Sequence, residues 1–69
     1  MTLAPHQQRV VDERHELEER LAKLRQFLTT DLCLTLPFDE RGRLVRQEKI
    51  MAEYSDVLAD RIAAFTEAA

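Results

Sequence analysis

Sixty-nine residues, with 13 acidic and 10 basic side chains, a net charge of −3, one glycine and one cysteine, leave room for a single small domain with no internal disulfide. No apolar run approaches the roughly 20 residues needed to span a membrane, and no charged stretch followed by an apolar core opens the chain. The acidic surplus argues against duplex nucleic acid as a partner, since its binders carry basic surfaces; a small anion stays open, because a few arginines can converge locally.

The first predicted element is PHQQRVVDERHELEERLAKLRQFL, a helix over about residues 5–29. Pro5 suits the first turn of a helix, where its missing N–H costs nothing. Leu17, Leu21, Leu24 and Leu28 are spaced 4, 3, 4, the seam of a helix that packs along one stripe, and Val10 extends it by one heptad. Arg14 stands where the seam calls for an apolar side chain. Glu19 and Lys23 form a favourable i,i+4 pair in the better orientation.

The stretch TTDLCLTLPFDE collects β-branched residues, aspartate and proline, all poor helix formers, and predicts a turn over about residues 30–37. Leu32, Cys33, Leu34 and Leu36 make it too apolar for a solvated loop, so the turn is expected to pack. A second helix follows over about residues 38–66. Asp39 and Glu40 place negative charge where the helix dipole favours it. Gly42 weakens the first turn by about 1 kcal/mol relative to alanine and is expected to let it fray. The seam of this helix is Leu44, Met51, Leu58, Ile62 and Phe65, interrupted by Glu48 and Ser55.

A short connection makes the two helices antiparallel neighbours. The fold class expected is therefore all-α: an antiparallel two-helix hairpin, one domain over residues 1–69, assembling into a helical oligomer. Folding the chain about residues 34 and 35 sets Leu24 near Leu44, Leu17 near Met51, Val10 near Leu58, and Arg14 beside Ser55 and Asp56. Two helices alone leave roughly half of each seam residue wet, and a chain this short holds a thin margin of stability. The second helix carries a further apolar stripe, Ile50, Tyr54 and Val57, and the first adds Val11 and Phe27. Covering these against another copy contributes about 1.5–3 kcal/mol for each large side chain fully buried.

Catalysis finds little support. His6 and His15 lie nine residues apart on one helix, about 13–14 Å along its axis, too far to share a site. No Gly-rich phosphate loop occurs, no nucleophile has a sequence-adjacent base, and two histidines and one cysteine give no metal-ligand spacing. Binding is better served. His6 and Arg9 lie one turn apart at the end of the hairpin away from the turn, where the second helix brings Arg61, and Gln7 and Gln8 add uncharged donors and acceptors. Arginine is suited to bidentate contact with phosphate, and Tyr54 or His6 can stack on a base. Paired with glutamates instead, the same arginines would be ordinary solvated surface.

Gln8, Arg9, Val10, Glu13, Leu17, Leu24 and Phe27, followed by Arg46, Gln47, Met51, Tyr54, Leu58, Arg61 and Ile62, make a pattern that covers nearly the whole chain. It resembles a family of small phage-encoded helical hairpins, related to the hairpin domain of anti-CBASS and anti-Thoeris sponges. The resemblance implies compact homo-oligomers, commonly hexamers. It also implies that cyclic di- or trinucleotides, or cyclic ADP-ribose isomers, are held in pockets between protomers and sequestered without cleavage. Where such a pocket favours an aromatic residue near the start of the first helix, this chain has His6.

The residues expected to bind ligand are His6, Gln8, Arg9, Arg20, Lys23, Tyr54 and Arg61; no catalytic residue, metal or cofactor is expected. The partners expected are a cyclic oligonucleotide or related nucleotide signal and further copies of the chain, with neither duplex nucleic acid nor membrane. The lone thiol fits the reducing cytoplasm, here of an infected bacterial host. The alternative is a self-associating hairpin that serves as a protein–protein interaction module with no small-molecule site.

Overall fold

A computed structural model describes residues 2–67, with side chains described as far as Phe65; residues 1, 68 and 69 of the expected domain lie outside the described residues. Three helices follow in order: α1 (Pro5–Leu28), α2 (Asp31–Leu34) and α3 (Phe38–Glu67). The two long helices span 24 and 30 residues, and between them residues 31–34 close into a short helix of their own.

Each helix starts for a local reason. Ala4 carries no capping oxygen, so Gln7 reaches back and its side-chain carbonyl accepts the Ala4 N–H at 2.9 Å, one half of a capping box. Thr30 caps α2: its hydroxyl accepts the N–H of Cys33 at 3.3 Å and donates to the Phe27 carbonyl at 2.6 Å, tying α2 to the end of α1. Pro37 ends that turn, and its carbonyl accepts the Arg41 N–H at 3.0 Å to open α3. Gly42 does not interrupt α3, which runs unbroken from Phe38. The turn packs only in part, since Cys33 is buried and Leu36 half-buried while Leu32 and Leu34 stay about two-thirds exposed.

Helices α1 and α3 lie side by side and antiparallel, joined by cross-links that fix their register. Arg14 donates from Nε to the Ser55 carbonyl at 3.2 Å, Ser55 donates its hydroxyl to Glu18 at 2.9 Å, and Arg25 pairs with Glu48 at 2.7 Å. The polar break in one seam thus meets the polar break in the other. Glu18 also accepts from Arg14 at 3.2 Å, so the Arg14, Ser55 and Glu18 side chains close a network around a serine that is only 3% exposed. Glu19, expected to pair with Lys23, pairs instead with His15 at 3.0 Å.

The core is a single seam. Val10, Leu17 and Leu58 are buried against each other, with Met51, Ile62 and Phe65 packed around them, and Leu21 is buried further towards the turn. The molecule is a rod of 49 × 15 × 14 Å. Its radius of gyration is 15.6 Å, against about 11 Å for a compact domain of this length. Its accessible surface is 5412 Å², about a fifth above the roughly 4,500 Å² that size scaling gives for a compact monomer of its mass.

Candidate functional site

The link between Tyr54 and Glu13 orients the face of the hairpin that matters most. Tyr54 donates its hydroxyl to the Glu13 carboxylate across the helix pair, so this flank of α3 adjoins the Glu13 flank of α1. On α3 the same flank carries Arg46, Ile50, Val57 and Arg61, spaced with Tyr54 at intervals of 4, 4, 3 and 4, one stripe of a helix with 3.6 residues per turn. The three central side chains stay largely in water: Ile50 and Val57 are 53% exposed and Tyr54 43%. The second apolar stripe expected of α3 is therefore present and uncovered in the single chain.

A groove of about 310 Å³ opens at one end of this stripe, lined by Arg43, Arg46, Gln47, Ile50 and Met51. Its floor is apolar and its rim is cationic. Arg43 shares its charge with Glu40 at 2.8 Å. Among the described residues Arg46 has no ion pair or hydrogen-bond partner for its side chain, and Gln47 has only the Met51 sulfur, at 3.7 Å. An anion attached to a flat or apolar body suits such a lining.

None of the seven residues expected to bind ligand lines this groove. Arg9 and Arg61 both lie towards the open end of the rod: the register that sets Arg14 beside Ser55 puts Arg9 level with residues 60 and 61. Both are exposed, and among the described residues neither side chain has a carboxylate partner. His6 is exposed one turn further out. Gln8 is engaged, donating to Asp12 at 3.0 Å. Arg20 and Lys23 lie well along α1 towards the turn; Arg20 approaches Glu16 at 3.9 Å and Lys23 is exposed. Tyr54 lies between the two cationic groups, its ring held by Glu13.

The groove residues were absent from the expected site although their signal is in the sequence. Arg43, Arg46, Gln47 and Ile50 follow an i, i+3, i+4, i+7 spacing off the hairpin seam, which gathers two cations, an amide and an aliphatic side chain on one face. Among the described residues no cluster of three or more histidine, cysteine, aspartate or glutamate side chains is placed to hold a metal ion, and no helix is long and apolar enough to cross a membrane.

The model of the Sequestin family matches residues 4–64, the whole of α1 and α2 and nearly all of α3. The chain belongs to the Sequestin family. No curated protein and no solved structure matches it. The matched span contains the Arg9–Arg61 end, the Tyr54 stripe and the groove, so all three belong to the Sequestin unit.

Proposed function

We propose that the protein is a sponge of phage origin. On this reading it binds a cyclic nucleotide immune signal of the infected bacterium, a cyclic di- or trinucleotide or a cyclic ADP-ribose isomer, and sequesters it unchanged. The observation that carries the reading is the Arg9–Arg61 pair. Two exposed arginines towards the same end of adjoining helices, neither with a carboxylate partner among the described residues, give that end a local excess of positive charge. Such an arrangement is relieved by an anion that both can grip, and a nucleotide phosphate accepts arginine's paired donors. The family name supports a sequestering role in place of turnover.

In this reading Arg9 and Arg61 hold phosphate, with Arg20 and Lys23 extending the cationic edge along α1. His6 or Tyr54 stacks on a base and Gln8 offers an amide. The uncovered Ile50, Tyr54 and Val57 stripe supports homo-oligomers, hexamers included, whose pockets lie between copies. Preorganisation by such an assembly lowers the ordering cost of binding. The protein works in the cytoplasm, where the signals are made.

The test is incubation of purified protein with a panel of cyclic di- and trinucleotides and cyclic ADP-ribose isomers, followed by thermal release and chromatography of what was bound. The expected result is a raised melting temperature with one messenger class and its recovery intact. A cleaved product, or no thermal shift across the panel, rejects the sponge. The exposed Leu32, Leu34 and Phe38 at the turn favour the second reading, an interaction module with no small-molecule site, and that reading gains if the panel fails while the chain still associates.

A further inference from the structure

Charge is unevenly spread along the rod. Residues 20–49, the half towards the turn, hold seven of the ten basic side chains and four of the thirteen acidic ones. That half is net +3 in a chain of net −3. Two of its acids are already taken, Glu40 by Arg43 at 2.8 Å and Glu48 by Arg25 at 2.7 Å. The same half bears the most exposed large apolar side chains among the described residues: Phe38 is 80% exposed, and Leu32 and Leu34 stay largely in water at the turn.

Charge and apolar surface meet on one face. Phe38, Arg41, Val45 and Lys49 are spaced 3, 4 and 4, which sets them on a single stripe of α3. Val45, itself more than half exposed, is nine residues from Tyr54, two and a half helical turns, so this stripe faces away from the one that holds Tyr54. The Arg41 guanidinium lies 5.8 Å from the centre of the Phe38 ring, and its buried Nε has no hydrogen-bond partner. Among the described residues neither Arg41 nor Lys49 has a carboxylate partner. The next acid along the stripe is Asp56, about 27 Å from Phe38 along the axis.

Such a stripe suits a partner that takes apolar side chains and cations together. A partner helix needs a groove to lie in, and the groove beside Arg46 and Ile50 includes no residue of this stripe. A lipid surface needs none: apolar side chains enter between the headgroups, while arginine and lysine reach the phosphates from their aliphatic stems. Anionic lipid adds an attraction for each basic residue close to the surface. Asp31 and Asp39, exposed near the turn, oppose that attraction and limit its strength.

We infer that the turn half of the hairpin docks on an anionic phospholipid surface, with Leu34 and Phe38 seated among the headgroups and Arg41 and Lys49 against their phosphates. The contact is peripheral, since no helix among the described residues is long and apolar enough to cross a membrane. It adds a partner that the sequence alone did not lead us to expect. Binding is reversible and weakens as salt rises. It uses neither the Arg9–Arg61 end nor the Tyr54 stripe, so it stands apart from the sponge reading, and it accounts for the exposed turn without an interaction module.

Co-pelleting of the full chain with sucrose-loaded vesicles tests it, comparing an equal mixture of phosphatidylglycerol and phosphatidylcholine with phosphatidylcholine alone. The chain is expected to pellet with the anionic vesicles at low salt and to stay in solution with the neutral ones. Arg41→Gln with Lys49→Gln should weaken binding about twenty-five-fold, roughly fivefold for each charge, whereas the exchange Arg41→Lys with Lys49→Arg should retain it. Leu34→Ser with Phe38→Ser should weaken it roughly tenfold or more, and Asp31→Asn with Asp39→Asn should strengthen it. Circular dichroism of each variant checks that the helices are kept. No binding to anionic vesicles overturns the inference, the result expected if the stripe meets an acidic protein instead. Equal binding to both kinds of vesicle, or binding that either weakening variant leaves unchanged with its helices intact, overturns it too.

Discussion

Arg14 reaches from α1 across the hairpin and donates to the main-chain carbonyl of Ser55 at 3.2 Å. Ser55 in turn donates its hydroxyl to Glu18, which also accepts from Arg14. A polar group buried at a seam is tolerated when its partners are complete, and here the three side chains satisfy one another. A slip by one residue along either helix breaks the two contacts that cross between α1 and α3, so the network favours one register among the many that a leucine seam permits. Ser55→Ala removes the hydroxyl and leaves Glu18 with Arg14. The expected loss is about 1 kcal/mol, a drop of roughly 4–8 °C in a domain of this size, measured by thermal unfolding followed at 222 nm.

Leu58 is completely buried between Val10 and Leu17. Leu58→Ala removes a side chain from the middle of the core formed with Val10 and Leu17 and is expected to cost about 2–5 kcal/mol. In a chain with so thin a margin most of the helical signal at 37 °C should be lost. Val45, 57% exposed, is the control: Val45→Ala should change stability by no more than about 0.5 kcal/mol. Equal losses in urea titrations of the two variants would show that the core is elsewhere.

Arg61→Glu separates binding from stability. It replaces the local excess of positive charge shared with Arg9 by opposite charges, worth about 0.2–1 kcal/mol at an exposed position, so the melting temperature of the ligand-free protein should rise slightly. Messenger binding should fall by tenfold or more, since a phosphate contact is replaced by a like charge. Calorimetric titration beside a melting curve reads both signs, and a fall in stability without loss of binding would remove Arg61 from the site.

Tyr54 offers a stacking face and a hydroxyl that Glu13 already takes. Tyr54→Phe keeps the ring and should keep most of the affinity for a nucleotide messenger, whereas Tyr54→Ala should lose about 1–3 kcal/mol of binding. If both variants bind equally well, the ring does not stack on the ligand.

Gly42 sits inside α3 with nothing within 4 Å of where a Cβ would stand. Gly42→Ala should therefore stabilise the chain by about 0.5–1 kcal/mol, visible as a higher urea midpoint with an unchanged slope.

Most of the architecture was legible because one signal dominates a chain of this kind. Leucines at 17, 21, 24 and 28 specify a stripe, the residues around Pro37 forbid a continuous helix, and matching the polar breaks at Arg14 and Ser55 sets the register. Helix α2 was not legible. Its four residues are too few to carry a periodicity, and although Thr30 is a local cap, Cys33 finds its buried seat only in the folded hairpin. Of the candidate site, local spacing marks the cations towards the open end, whereas Arg43, Arg46 and Gln47 lie in the body of α3 and their face becomes a groove only beside Ile50 and Met51.

Cys33 supplies a built-in reporter. Its sulfur is enclosed where α2 folds under the turn, so a thiol-modifying reagent reaches it only when that corner lifts. The labelling rate therefore measures how often the corner opens, in a protein with no tryptophan to report by fluorescence. If labelling keeps pace with whole-chain unfolding, the corner and the rods melt as one unit; if it runs faster, the hairpin opens first where its chain turns back.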